Sequence, residues 1–178
     1  MATLRSTESG LWLIVFLFFE HLRMKQSAGL IPYRFKKKTP EYFLVHPGGP
    51  FWKNKDAHAW SISKGEFVEE EALTAAFREF EEETGMRADG KLIQLNPVKQ
   101  SSGKLIHAWG IAFDFDHEKI RSNVFEMEWP PKSGKKASFP EVDKGAWFSL
   151  KDAEEKIIKA QFAMLVELER KLLDNVMI

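Results

Sequence analysis

The stretch Gly65–Met86 reads GEFVEEEALTAAFREFEEETGM, and the fold turns on it. Helix signals begin near Glu69 and run to Thr84, and Gly85 is the residue type that ends helices in a left-handed conformation. At about 100° per residue, Leu73, Ala76, Phe77, Phe80 and Thr84 form one stripe that must face a sheet. Glu79, Glu82 and Glu83 stand at i, i+3 and i+4, neighbours of one another on a different side. Three adjacent carboxylates repel, so that side reads either as a solvated acidic face or as one holding something positive. Arg78 and Glu71 share a third sector, two turns apart and within reach of pairing.

Upstream of the helix, Ser27–Phe35 and Glu41–His46 read as strands joined by the turn Lys36–Pro40, and Pro47-Gly48-Gly49-Pro50 is a sharply turned loop. Phe51, Trp52 and Trp60 then cluster with Lys53, Lys55 and His58. These read as a surface loop with core aromatics, or as a wall on which a base stacks with lysines near phosphates. Ala59–Ser63 reads as a short strand leading into Lys64-Gly65.

Downstream, Lys91–Gln100 and Lys104–Phe115 read as a hairpin around Ser101-Ser102-Gly103. Asp116–Glu141 is a long polar excursion, a length often associated with function. Its lysines, Lys132, Lys135 and Lys136, read as a solvated loop. Val142–Phe148 is a further strand, and Lys151–Ile158 and Ala160–Val176 are amphipathic helices, the second packing through Phe162, Leu165, Val166, Leu168 and Leu172. The apolar run Leu11–Phe19 is nine residues long, short of the roughly 20 that span a bilayer. Residues 1–23 read as an N-terminal extension, and 24–178 as one domain.

Composition limits the chemistry. The 178 residues carry 26 Lys plus Arg against 26 Asp plus Glu, so no net field recruits nucleic acid or anionic lipid. There is no cysteine, which excludes disulfides, thiol catalysis and cysteine-bound metals. Any metal sits on oxygen or imidazole, favouring Mg²⁺ or Mn²⁺ over zinc. A cytoplasmic protein with neither a nucleic-acid nor a membrane partner is expected.

Taken whole, the central stretch resembles the Nudix box, G-x(5)-E-x(7)-R-E-U-x-E-E-x-G-U with U a bulky apolar residue. Arg78-Glu79-Phe80-Glu81-Glu82-Glu83-Thr84-Gly85-Met86 matches the second half at every specified position. The first half is one residue short. Gly65 and Glu71 fit it with only six residues before Arg78; Glu70 keeps seven, and then Gly65 is one too close. Around the box, His46–Trp52 and Trp60–Gly65 resemble a bacterial branch of that family named for nucleoside triphosphate pyrophosphohydrolase activity, which usually has proline where Ser63 stands.

The resemblance implies an α+β fold, an α/β/α sandwich with a mixed β-sheet flanked by helices. It implies a Mg²⁺-dependent hydrolase, with Mn²⁺ able to substitute, that cleaves the pyrophosphate of a nucleoside diphosphate linked to a group X. Candidate substrates are a nucleoside triphosphate or a dinucleoside polyphosphate; the alternative is a Nudix-fold module that binds a nucleotide without cleaving it. By the same resemblance Glu79, Glu82 and Glu83, with the backbone carbonyl of Lys64, are metal ligands, and Glu79 can double as general base. Arg78 holds the loop by pairing with Glu70 or Glu71. Gly65 lets that loop pass close to the metal site, and the candidate substrate contacts are Lys64, Gly65, Trp52, Lys53, Glu126 and Glu128. The general base often lies on a distant loop, and Glu126 or Glu128 is a candidate, the other reading being an exposed strand or loop.

Overall fold

The computed structural model describes residues 25–176; the run Leu11–Phe19 and the extension lie outside the described residues. The strands are β1 (Gln26–Lys36), β2 (Thr39–Pro47), β3 (Ser63–Phe67), β4 (Leu92–Gln94), β5 (Val98–Lys99), β6 (Leu105–Ala112), β7 (Val124–Glu128), β8 (Lys136–Pro140) and β9 (Val142–Phe148). The helices are α1 (Ala72–Thr84), α2 (Leu150–Lys156) and α3 (Lys159–Val176), with a 3₁₀ turn at His117–Lys119. Seven strands form a mixed sheet in the order β4–β6–β1–β2–β9, with β3 added to β1 and β5 to β6. The β1–β6 pair is parallel, and the other pairs are antiparallel.

Both faces of this sheet are covered, and the period-two alternation of its strands sorts the side chains between them. In β1, Ala28 and Leu30 face α1 while Ile31 and Tyr33 face α2 and α3. In β2, Phe43 and Val45 take the α1 side, and Tyr42 and Leu44 the other. That is the expected three-layer sandwich.

The boundaries moved where one residue decides. Lys91–Gln100 is two short strands rather than one, because Pro97 has no N–H to give the ladder. Of the expected strand Ala59–Ser63, residues 59–62 form only isolated bridges, Ser61 with Val45 and Trp60 with Ile157. The strand proper is Ser63–Phe67, paired with β1. The excursion Asp116–Glu141 contains a separate hairpin, β7–β8, whose short half-exposed strands alternate only two apolar residues each, Phe125 and Met127 with Ala137 and Phe139. On α3 the packing residues are Met164, Leu165, Leu168 and Leu172, while Val166 is exposed.

Helix α1 begins at Ala72, later than the first glutamates, and buries Ala75, Ala76, Phe80 and Thr84. Phe77 packs at the edge of that core. Gly85 ends the helix at φ 71°, its N–H donating to the Glu81 carbonyl. Two more terminal carbonyls are met from a distance: Arg121 N–H donates to Thr84 and Asn123 N–H to Glu82. Gly85→Ala is expected to cost about 1 kcal/mol, because a Cβ disfavours the left-handed region. Urea unfolding of the two proteins checks this.

Candidate functional site

Arg78 organises the exposed side of α1. Its Nη2 lies 2.6 Å from Glu70 Oε1, and its Nη1 lies 2.8 Å from Glu79 Oε1 and 3.2 Å from Glu82 Oε2. These carboxylates, Glu70 foremost, shift the guanidinium further toward its charged form. Glu70 is therefore the partner, and the seven-residue gap to Arg78 is intact. Glu71 is exposed at the helix entry, where its carbonyl accepts from Ala75 N–H. The missing residue falls between Gly65 and Glu70. Strand β3 stays in the sheet through Phe67, paired with Gln26, and a bend at Val68–Glu70 leads directly into the helix.

Gly65 sits in β3 opposite Ala28. A Cβ there would fall 1.9 Å from both Cδ and Oε2 of Glu79, so the carboxylate occupies the space that glycine leaves. Burial raises the Glu79 carboxyl above its ordinary value, partly offset by Arg78. Glu83 accepts a hydrogen bond from the backbone N–H of Lys64 at 3.2 Å. Burial pushes Glu83 up to about 7, against the pull of the nearby Ser63 hydroxyl and the Lys64 charge. Burial likewise lowers the Lys64 ammonium. Burial is the main cause of each shift, with carboxylate–carboxylate repulsion a smaller contribution at Glu79 and Glu83.

Glu83 and Lys64 open into a cavity of about 200 Å³ lined also by Trp52, Ser61, Glu141 and Val142. Glu141 is a fourth carboxylate in this neighbourhood, close enough to Glu79 to raise its pKa. A chain of backbone hydrogen bonds fixes it. Asn123 N–H donates to Glu82 of α1, Glu141 N–H donates to Asn123, and Gly48 N–H donates to Glu141. Sequence reasoning missed Glu141 because it looked like the last residue of a polar loop. Its one signal is that it directly precedes the strand β9.

The candidate bases Glu126 and Glu128 sit on the β7–β8 hairpin instead. Glu126 pairs with Lys136 at 3.6 Å, and Glu128 Oε1 accepts from Gly134 N–H at 2.8 Å. Neither lines the cavity. The aromatic cluster also divides. Trp60 is core, packed on Phe148 and His46. Phe51 sets its edge on Trp129, and Trp52 is the cavity wall, with the Lys55 ammonium 4.5 Å over its ring. Lys53 lines a second cavity of about 520 Å³ with Trp129, Phe139 and Asp143.

The donor set suits a hard divalent ion: it is all oxygen, clustered by one helix, with the Gly65 cradle at its edge. Among the described residues, no three acidic or imidazole side chains stand close enough together to hold a metal as they are placed. Arg78 draws Glu79 and Glu82 to itself while the Lys64 N–H draws Glu83, so an ion held by all three would require these side chains to rotate.

A family model described as the NUDIX domain matches residues 24–168. No curated protein matches the chain. Among solved structures, the Caenorhabditis elegans Ap4A hydrolase binary complex superposes with a TM-score of 0.60 at 19% identity, covering 85% of this chain and 99% of that one. The NUDIX domain of Shewanella oneidensis NrtR, complexed with ADP ribose, gives 0.60 at 15% identity, covering 94% and 99%. The Escherichia coli ORF135 protein gives 0.52 at 19% identity, covering 83% and 89%. At these identities the likeness is one of fold.

Proposed function

Because the chain belongs to the Nudix family, whose hydrolases act on pyrophosphate bonds and generally use divalent metal ions, we propose that it is a Mg²⁺-dependent enzyme cleaving a nucleoside triphosphate or a dinucleoside polyphosphate. The observation that carries this reading is that Glu79 and Glu82, held by one arginine, stand within a turn of Glu83, which lines a cavity with Lys64, Trp52 and Glu141. Glu79, Glu82 and Glu83 would hold the ion, which when bound neutralises phosphate oxygens and acidifies water. Trp52 offers a face for a base, and Lys64 offers a charge to the phosphate chain. Arg78 and Glu70 fix the approach of the loop to the helix. A nucleotide substrate also suits a cytoplasmic enzyme, and no helix among the described residues is long and apolar enough to cross a membrane.

Glu141, which lines the cavity with Glu83 and lies close enough to Glu79 to raise its carboxyl pKa, is assigned the role of accepting a proton from the attacking water. Glu141→Gln is expected to lower kcat by about 100-fold, the usual contribution of general-base catalysis, while KM changes little. Unchanged kcat in Glu141→Gln would remove Glu141 from this role.

The decisive experiment is a panel of nucleoside triphosphates, dinucleoside polyphosphates and nucleotide sugars with Mg²⁺ or Mn²⁺, products resolved by liquid chromatography. Metal-dependent release of a nucleoside monophosphate is expected. The hold of Arg78 on two of the three carboxylates favours a second reading, a module that binds nucleotide without turnover. Tight binding by calorimetry with no product from any member of the panel would select it.

A further inference from the structure

The loop from Gly48 to His58 carries Trp52 to one cavity and Lys53 to the other. Its ends are tied down by Gly48 N–H to Glu141 and by His58 N–H to Glu155. Its middle is tied by His46. That side chain is fully buried, with Nδ1 2.8 Å from Asp143 Oδ1 and Nε2 2.7 Å from the Lys55 carbonyl oxygen. A carbonyl oxygen and a carboxylate both accept. A neutral imidazole has one N–H and can satisfy only one of them, whereas an imidazolium satisfies both.

The backbone is shaped to bring these groups together. Lys144 pairs with His46 and Val142 with Pro47, so Asp143 is the extra residue of a β-bulge. A bulge re-aims a side chain, and here the carboxylate meets the ring. The charged groups around the ring come from three elements. Strand β9 supplies Asp143 and Lys144, whose ammonium lies 5.3 Å over the Trp60 ring; Trp60 in turn lies against His46. The loop supplies Lys55 and Asp56, the latter bonded to Trp60 Nε1 and to the Lys156 ammonium. Helix α2 supplies Lys156 through its pair with Asp56.

We propose that His46 is a positioning residue for substrate. As an imidazolium it staples the Lys55 carbonyl to β9, and Lys55 in turn holds Trp52 at the cavity wall. When pH rises and the ring gives up a proton to solvent, Asp143 retains the Nδ1–H. The Nε2 lone pair then faces the Lys55 carbonyl oxygen, and the middle of the loop is released. Substrate binding therefore weakens at alkaline pH. This rests on the reading of the Trp52 cavity as the substrate site.

The test has two arms. In the nucleotide-free protein, ¹⁵N NMR of the imidazole should show both nitrogens protonated at pH 6. Loss of one proton with rising pH should coincide with a fall in amide protection across Trp52–Lys55, measured against the base-catalysed rise that all amides share. A ring already neutral at pH 6, or protection indifferent to its titration, would overturn the anchor. In the kinetic arm, wild-type KM should rise about tenfold across the same pH range, the effect of one well-made hydrogen bond, with kcat moving less. In His46→Phe at the same metal concentration, KM should be raised throughout and lack this rise. Asp143→Asn, at a half-exposed position, guards against a folding failure of that variant. It should retain the rise at a lower pH, since the carboxylate no longer favours the imidazolium. Equal KM slopes in wild type and His46→Phe would overturn the role in binding. Absence of turnover with every nucleotide, with the ring and exchange results as expected, would sink the substrate reading and leave the anchor standing.

Discussion

Glu83→Gln is expected to lower kcat by roughly three orders of magnitude, the several kcal/mol of charge stabilisation that a catalytic ion supplies. Gln keeps the length of the side chain and a carbonyl oxygen for the Lys64 N–H, so the helix and the β3 junction should hold. What it removes is one negative charge from the donor set, and metal affinity by calorimetry should fall with the rate. Unchanged turnover would sink the assignment of this cluster as the metal site.

The same variant carries a stability signature of opposite sign. In the folded, metal-free protein Glu83 titrates at about 7, against 4.5 for an ordinary glutamate. Between those values the folded state binds the extra proton, so stability is fully present below the lower value and is lost as pH rises through about 7. Gln does not titrate. In metal-free buffer, melting curves should place Glu83→Gln above wild type at pH 8, with the gap closing toward pH 5. A variant less stable than wild type at pH 8 would mean that Glu83 holds the fold rather than serving a ligand.

Gly65→Ala separates site geometry from stability. Gly65 lies in a strand, where alanine meets no backbone restriction, and the group its Cβ would strike is the mobile end of Glu79. Glu79 can swing aside at small cost to the fold. It cannot do so and keep its place beside the other two carboxylates. A drop of about 100-fold in kcat/KM is expected, the scale of a catalytic group displaced by about 1 Å, with a melting temperature within a few degrees of wild type. A variant that melts early would show that the β3–α1 contact is held by packing at Gly65, and full activity would show that the position of Glu79 is not critical.

How much of this was legible depended on the distance over which each feature is encoded. Helix α1, its glycine stop and its glutamate cluster are local, because spacing along one helix fixes which side chains are neighbours. The paired strands were legible for a related reason, since their apolar residues alternate between two buried faces. The β7–β8 hairpin was not, because its apolar stripe is only two residues long on each strand, Phe125 and Met127 against Ala137 and Phe139, and lies within a polar stretch.

The sequence by itself determined the chemistry: oxygen donors without thiols, three glutamates on adjoining turns, and an arginine beside them. Tertiary structure decided the partners. Glu70 rather than Glu71 meets Arg78 because β3 runs through Phe67 before the chain bends. Glu141 reaches the carboxylates because Asn123 ties it to the end of α1. His46 meets Asp143 because a bulge shifts the β2–β9 register. Spacing along one helix fixes neighbours only a turn apart. Contacts between residues as distant as 46 and 143 are set by strand register and hydrogen bonds between elements, which no local pattern records.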